Sequence, residues 1–364
     1  MTSPFDPVHF RRGPSMANRF MLAPLTNHQS NVDGTLSEEE LHWLTLRADG
    51  GFGMVMTCAS HVQEVGNAFP GQLGCWGDQH VEGLRRIADA MHERGALAYV
   101  QLHHGGRRAD PELMGQTPVA PSDDAKTGAR ALSTQEVEEV IEAFISAAQR
   151  CEAAGFDGVE IHGAHDYLLC EFLSPQLNRR EDRFGGSREA RFQIFRDILD
   201  GIRNRCGDEF QVAVRISPER FSLVTSDIVW VYEQLIATGQ VDLIDLSLWD
   251  VFKEALDPEF EGRSLAELFL PLERGDTRVA VAGKLYDGAA VQRALDLGAD
   301  IVALGRAGIV NHDFPLLMEH DSEVSMSSLP IARDVLRDEG LSEVFIDYMD
   351  TWDGFVAPQG LLNT

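Results

Sequence analysis

The chain has 364 residues, of which 44% are hydrophobic and 24% are charged, and this balance is typical of a soluble globular protein. Its 31 basic and 58 acidic residues give a formal net charge of −27, which disfavours binding to nucleic acid or to anionic membranes. No apolar run reaches the roughly 18–20 residues that a membrane span needs, and the N-terminus lacks the apolar segment of a signal peptide. We therefore expect a cytoplasmic protein without a membrane partner.

Short apolar runs alternate with longer helical stretches along most of the chain. The runs are rich in Val, Ile, Leu, Ala and Met, as are strands that are buried on both faces of a parallel sheet. The eight predicted strands are Phe20–Ala23, Met54–Cys58, Ala98–Gln101, Gly158–His162, Gln211–Ile216, Leu243–Leu246, Val279–Ala282 and Ile301–Leu304.

The segments between the strands carry helix signals. Ser37 and Ser133 are each followed three residues later by a glutamate, which is the spacing of a capping box. Eight strand–helix units in series, with no Gly-x-Gly-x-x-Gly after any strand, predict an α/β protein with a (β/α)8 TIM barrel. We expect residues 1–330 to form this barrel as a single domain. We expect residues 331–364 to form a helical extension that packs on the barrel or on a partner subunit.

One connection is longer and more polar than the others. Gly105–Arg130 follows the third strand and is rich in glycine and proline. Because it follows the carboxyl end of a strand, it should lie at the face of the barrel where ligands bind. We predict a lid-like insertion here.

Polar side chains follow several of the predicted strands at their carboxyl ends, where barrels carry their reactive groups. The fourth strand ends in His162, with His165 and Tyr167 close behind, and these side chains could hold an oxygen-bearing ligand and give it a proton. Taken alone, His162 is equally consistent with a buried core histidine. Pairs of glycine and a cation, Gly283–Lys284 and Gly305–Arg306, follow the seventh and eighth strands, where barrels often bind phosphate.

Five segments, in this order along the chain, resemble the old yellow enzyme family of FMN-dependent ene-reductases. The segments are NRFMLAPLT, QLHHGGR, IHGAHDYLLCEFLSPQLNRREDRFGGS, VRISPE and ADIVALGRAGIVNHDFP. The resemblance spans most of the chain, and the third segment is its most specific part. It implies FMN as a tightly bound cofactor and NADH or NADPH as the reductant. It also implies a small-molecule substrate of the enone type. Members of the family are monomers, homodimers or higher homo-oligomers, so the resemblance allows any of these states for this chain.

The resemblance also implies roles for individual residues. His162 and His165 match the paired donors that hold the substrate carbonyl oxygen, and Tyr167 matches the proton donor. The residues that match the FMN site are Ala23, Pro24, Leu25, Thr26, Ala59, Gln101, Arg215, Gly283, Lys284, Gly305 and Arg306. His28 either faces the substrate or has a packing role. Asp166 stands where the family usually has glycine, and it is either an ordinary loop residue or a modifier of the site.

Other functions stay open at this point. A flavin enzyme of this kind could instead oxidise or demethylate an amine. A metal-dependent hydrolase barrel would use His103, His162 and His165, although the five cysteines lack Cys-x-x-Cys spacing and no carboxylate-rich ligand set is present. We therefore expect no metal site. A lyase or aldolase would use Lys284 as a Schiff-base nucleophile.

Overall fold

Eight parallel strands close into one barrel in the computed structural model, which describes residues 2–358. Each strand pairs with the next along the chain, and the last pairs with the first. The fold prediction is confirmed, as is the existence of all eight predicted strands. The barrel strands are β1 (Phe20–Leu22), β2 (Met54–His61), β3 (Leu97–His103), β4 (Gly158–Gly163), β5 (Gln211–Ile216), β6 (Leu243–Ser247), β7 (Arg278–Ala282) and β8 (Ile301–Leu304).

Helices fill the connections and cover the outside of the barrel. Ser133 and Glu136 form the full reciprocal capping box at the start of one helix. At Ser37 only half of the predicted box forms, because the Glu40 side chain is buried beside Asn27 and Gln29. The helices are α1 (Glu38–Asp49), α2 (Val81–His92), α3 (Pro111–Met114), α4 (Thr134–Ala153), α5 (Leu168–Leu173), α6 (Arg188–Arg205), α7 (Thr225–Ala237), α8 (Leu265–Phe269), α9 (Gly288–Asp296), α10 (Arg306–Val310), α11 (Phe314–His320), α12 (Arg333–Asp338) and α13 (Glu343–Asp350).

The amino end of the barrel is closed by apolar side chains. Val8 and Met16 pair with each other as an antiparallel bridge. Both pack in one buried cluster with interior residues from the starts of the strands, such as Met54 and Leu97. These side chains fill the amino end, so the open mouth of the barrel is at the carboxyl ends of the strands. Parallel pairing brings all eight carboxyl ends to this one face.

Register between strands brings the polar residues of the interior together. Gln101 is opposite Ala59 on β2 and Glu160 on β4. One layer further on, Arg215 is opposite His162 on β4 and Asp245 on β6. Since residues that are paired in register point to the same side of a sheet, both layers face the interior of the barrel.

The insertion after β3 folds as a small unit of its own. It contains α3 and a two-stranded ladder between Val119–Ala120 and Arg130–Ala131. Its position at the carboxyl-end face is that expected from the sequence, and its role as a lid stays a prediction.

The C-terminal segment folds back along the barrel wall. Ile331 pairs with Val356, and Phe345 of α13 packs against Trp43 of α1, with ring centres 5.7 Å apart. The last six residues of the predicted extension, 359–364, lie outside the described residues. Across residues 2–358, none of the helices combines the length and the hydropathy that crossing a bilayer would take.

Candidate active site

His162, His165 and Tyr167 form one cluster at the carboxyl end of β4. The ring centres of His162 and His165 are 5.0 Å apart, and those of His162 and Tyr167 are 5.4 Å apart. His162 is the last but one residue of the strand, and Tyr167 is the N-cap of α5. The turn between them is tight, since His165 and Asp166 both have a φ of 63°. The short strand-to-helix turn therefore brings all three side chains to one place.

Hydrogen bonds order the two imidazoles. His165 Nε2 lies 2.6 Å from Ser247 Oγ, and His165 Nδ1 lies 3.3 Å from His162 Nε2. His162 Nδ1 is buried and has no hydrogen-bond partner among residues 2–358. One nitrogen of the pair is thus available to a ligand, whereas the family resemblance implied that both histidines would donate a hydrogen bond to the substrate. If Ser247 donates to His165 and His165 donates to His162, the open nitrogen of neutral His162 carries an N–H.

Both imidazoles are neutral at physiological pH. Burial lowers the pKa of His162 and of His165 well below the ordinary value, and positive charge from Arg215 and Arg108 adds to this effect. Burial raises the pKa of the Tyr167 phenol, and the nearby Arg108 guanidinium opposes that shift. The cluster therefore offers neutral N–H and O–H donors without a net charge of its own.

The Tyr167 ring is held between two further side chains. His103 packs edge-on against it with ring centres 4.3 Å apart. Arg108 lies over the ring, with Cζ 4.5 Å from its centre, and Arg108 Nη1 donates to the backbone oxygen of His165. From the sequence, His103 had a role only in the alternative metal-dependent hydrolase, and Arg108 was not singled out.

Asp166 is tied to the insertion after β3. Both of its carboxylate oxygens accept from Arg107, at 2.7 and 2.6 Å. A left-handed backbone normally favours glycine, and aspartate is among the residues that tolerate it best. Asp166 is therefore an anchor for the insertion rather than an unpaired loop residue.

Buried ionisable and polar groups lie below the cluster, inside the barrel. Gln101 Nε2 donates to Glu160 Oε1 at 2.7 Å. Burial raises the pKa of both Glu160 and Asp245. Arg215 Nε lies 3.0 Å from Asp245 Oδ2, but the angles are not those of a hydrogen bond, and Nε has no acceptor in the described part of the chain. This part of the interior therefore has polar groups with unused hydrogen-bonding capacity.

A cavity of about 250 Å³ opens beside this cluster. Arg215 and Ser247 line it. Arg215 is opposite His162 in the strand register, and Ser247 contacts His165, so the cavity lies next to the imidazole pair. Eight of the residues predicted from the sequence line this cavity, namely Ala23, Pro24, Leu25, Arg215, Gly283, Lys284, Gly305 and Arg306. The strand ends of β1, β5, β7 and β8 thus supply one continuous wall.

The other predicted residues lie elsewhere. Ala59 and Gln101 lie next to each other in the barrel interior, and Thr26 is half-buried in the loop after β1. His28 packs between Phe69 and Tyr348, with ring centres 5.2 and 4.5 Å away. None of these four residues, and none of the three in the cluster after β4, lines the cavity.

Several residues of the cavity wall were missed by sequence reasoning. Ser247 ends β6, and its position at a strand end could have identified it. Trp249 is 61% exposed beside the cavity. Trp352 reaches the cavity from the C-terminal segment, beneath the Arg306 guanidinium, and no local signal indicates this contact.

A family model described as the NADH:flavin oxidoreductase / NADH oxidase family matches residues 3–324. The chain belongs to this family. As a flavin oxidoreductase of this kind, it uses FMN with NADH or NADPH. The chemistry of the cavity fits such a cofactor. Lys284 and Arg306 are exposed cations suited to a phosphate, Ala23 to Leu25 form an apolar wall, and no atom of residues 2–358 accepts a hydrogen bond from the buried Arg215 Nε.

Individual relatives agree with the family. A probable NADH-dependent flavin oxidoreductase of Bacillus subtilis, YqiG, is 34% identical over 335 residues, which are 89% of this chain and 90% of that protein. The NADH:fumarate oxidoreductase of Klebsiella pneumoniae is 34% identical over 88% of this chain, and the chain spans only 36% of that relative. The solved structure of an old yellow enzyme homologue from Zymomonas mobilis has a TM-score of 0.79 and 26% identity, with 94% of this chain and 99% of that one covered. The resemblance to the old yellow enzyme family is confirmed.

Proposed function

We propose that this flavin oxidoreductase reduces the activated C=C bond of α,β-unsaturated carbonyl compounds. The observation that carries the proposal is the cluster after β4, in which two neutral imidazoles and one phenol lie together beside the cavity. FMN, when bound, supplies the hydride for the β-carbon of the substrate. The chain's own residues bind the carbonyl oxygen and provide the proton for the α-carbon.

The imidazoles suit the binding of a carbonyl oxygen. Negative charge builds on this oxygen as hydride adds to the C=C bond, and a neutral N–H donor stabilises that charge without first protonating the oxygen. His162 Nδ1 has no partner within residues 2–358, and we assign it as the donor to the substrate oxygen. His165 orients this donor, because its Nδ1 lies 3.3 Å from His162 Nε2 and its Nε2 lies 2.6 Å from the Oγ of Ser247, which lines the cavity.

The Tyr167 phenol suits the protonation step. Burial raises its pKa above the ordinary value of 10.0, so the hydroxyl keeps its proton at neutral pH. No hydrogen bond within residues 2–358 occupies that hydroxyl, and the ring is fixed by His103 and Arg108. A fixed and uncommitted O–H group can give its proton to a carbon atom that is presented to it.

The cofactor role of the cavity rests on its charged and apolar walls. We assign the phosphate to the region of Gly283, Lys284, Gly305 and Arg306, and the pyrimidine end to Arg215. Thr26, Ala59 and Gln101 belong to the same proposed site, although they lie beyond the cavity wall. The reductant would use the same mouth of the barrel, which accounts for the absence of a separate dinucleotide motif in the sequence.

The alternative functions have less support. Within the described part of the chain, no three His, Cys, Asp or Glu side chains are grouped so that they could hold a metal ion, which a hydrolase of this fold would need. Lys284 lies 3.1 Å from the Asp250 carboxylate and is about half exposed, whereas a Schiff-base lysine is usually desolvated. Amine oxidation removes hydrogen from the substrate, so it would offer no carbon atom that takes a proton from Tyr167. Reduction of a C=C bond also agrees with the name of the Klebsiella relative, because fumarate is an unsaturated dicarboxylate.

A turnover assay tests the proposal directly. Purified protein saturated with FMN is incubated with NADH or NADPH and 2-cyclohexenone without oxygen. We expect consumption of the nicotinamide to depend on the enone and to yield cyclohexanone in equal amount. Consumption that is the same without enone, or that yields no saturated ketone, would contradict the proposal.

A further inference from the structure

Arg108 stands beside the proposed proton donor. It follows β3, at the end of a short 3-10 turn formed by Gly106–Arg108. Its Nη1 donates to the backbone oxygen of His165 at 2.7 Å, and its Cζ lies 4.5 Å from the centre of the Tyr167 ring. The guanidinium is thus fixed by two contacts to the same loop that carries the candidate catalytic residues.

The neighbouring Arg107 shows the opposite situation. Its Nη1 lies 2.8 Å from Asp124 Oδ2, and its Nη2 binds both oxygens of Asp166. Arg107 is therefore saturated by carboxylates and anchors the insertion after β3 to the loop after β4. This anchor keeps the backbone at Arg108 in place and leaves the Arg108 side chain to face the solvent at the mouth of the barrel.

The charge of Arg108 has no carboxylate partner. Within residues 2–358, no Asp or Glu oxygen lies within salt-bridge distance of it, although the chain carries 58 acidic residues. The neighbouring imidazoles are neutral and cannot balance a negative charge. Arg108 is consequently the group in this cluster that can attract an anion, and the planar guanidinium suits a carboxylate.

We propose that Arg108 binds a carboxylate of the substrate, so that the enzyme prefers unsaturated ketones or esters that also carry a carboxylate close to the C=C bond. This inference rests on the proposed function. A 4-oxo-2-enoate is the simplest member of the class. Its ketone oxygen would lie on the imidazole pair, and its carboxylate would lie on Arg108. The C=C bond gains one hydride and one proton, and the carboxylate is unchanged by the reaction.

The position of Arg108 explains why the carboxylate should be near the reacting carbons. Tyr167 gives its proton to one carbon of the double bond, and the guanidinium lies against the ring of that same tyrosine. A substrate carboxylate that binds Arg108 would therefore be only a few bonds away from the carbon that takes the proton from Tyr167. The imidazoles would bind a neutral carbonyl and Arg108 an anion, which fixes the orientation of the molecule.

The test compares three substrates of similar shape: trans-4-oxo-2-pentenoate, its methyl ester and pent-3-en-2-one. We expect kcat/KM for the acid to exceed that for the ester by about tenfold, the size of a hydrogen bond to a charged group. Arg108→Gln should abolish this preference, and Arg108→Lys should restore part of it. Because the charge is exposed, high salt should reduce the preference in the wild type.

Arg196→Gln is the matched control. Arg196 also lies over an aromatic ring, that of Phe192, and has no carboxylate partner within residues 2–358, but it is on α6 outside the barrel. The ratio of kcat/KM for the acid to kcat/KM for the ester should be the same in this variant as in the wild type. Equal kcat/KM for acid and ester in the wild type, or a preference that survives Arg108→Gln, would overturn the inference alone. Failure to reduce any of the three compounds would instead overturn the proposed function and, with it, this inference.

Discussion

His165 Nε2 and Ser247 Oγ lie 2.6 Å apart, although the two residues are 82 positions apart in the chain. The contact joins the loop after β4 to the end of β6. It also holds the His165 ring in place, because one nitrogen of His165 contacts Ser247 and the other contacts His162. Ser247 lines the cavity, and so it connects the cofactor region with the candidate catalytic cluster.

Ser247→Ala should therefore impair the reaction of the reduced enzyme with an enone. Loss of one hydrogen bond leaves the His165 ring free to turn and to change its tautomer, and we expect a decrease in rate of about fivefold. The measurement is anaerobic stopped-flow reoxidation by 2-cyclohexenone. Ser146→Ala is a suitable control, because Ser146 Oγ donates to Glu142 on the outer surface of α4, away from the cavity. An unchanged rate in Ser247→Ala would contradict the positioning role.

Tyr167→Phe should separate the two half-reactions. The proton needed by the substrate is lost, so reoxidation by enone should slow by about 10²-fold or more. Reduction of the cofactor by NADH or NADPH needs no such proton and should keep its rate. Tyr232→Phe provides the comparison, since Tyr232 is buried behind the barrel wall against Phe269. Equal loss in both half-reactions would argue against the proton-donor role.

Arg306→Gln should weaken FMN binding. Arg306 is exposed at the cavity and its Nη1 is 3.2 Å from the Tyr286 hydroxyl, so we assign it to the phosphate. Loss of one hydrogen bond to a charged group should raise the dissociation constant of FMN by about tenfold or more. Fluorescence titration of the apoprotein with FMN measures this change. Arg11→Gln removes the same charge near Gly239, in the N-terminal segment away from the cavity, and should leave the affinity unaltered.

Glu40 should make stability depend on pH. Burial raises the pKa of this carboxyl from 4.5 to about 7 in the folded protein. The folded state therefore holds the proton more tightly than the unfolded state, and stability is lost as pH rises from about 4.5 through about 7. Glutamine mimics the protonated form. As the pH rises from 5 to 8, the free energy of unfolding of Glu40→Gln should therefore increase by on the order of 2 kcal/mol relative to that of the wild type.

Urea unfolding at the two pH values tests this prediction, and Glu136→Gln is the control. The ion pair with Arg130 lowers the pKa of Glu136 to about 2, so this group titrates below the range of the experiment. The free energy of unfolding of Glu136→Gln should therefore differ from that of the wild type by the same amount at both pH values. A constant difference for Glu40→Gln as well would show that the buried carboxyl does not titrate in this range.

The sequence predicted the barrel well because its strands are continuous apolar runs. It placed the end of β2 at Cys58, whereas the strand continues to His61. The extension depends on a shift in the pairing register with β3 between Met56 and Ala59, and no local pattern encodes such a shift. The half-formed capping box at Ser37 has a similar cause, because tertiary burial of Glu40 competes with the cap.

The candidate site was only partly predictable. His162, His165 and Tyr167 are close in sequence and follow one strand, so their proximity could be anticipated from the strand-to-helix turn. The contact of Ser247 with His165 and that of Trp352 with the cavity join distant parts of the chain. Side-chain contacts of this kind are fixed by tertiary packing, and they lie beyond the reach of a pattern in one sequence.

The most direct test of the proposed function is the anaerobic reaction of the NADH-reduced holoenzyme with 2-methyl-2-cyclohexenone in D2O. We predict rapid reoxidation and a saturated ketone with solvent deuterium at the α-carbon, delivered through Tyr167. A reduced enzyme that enones do not reoxidise, or a product whose α-carbon acquires deuterium equally fast in Tyr167→Phe, would contradict it.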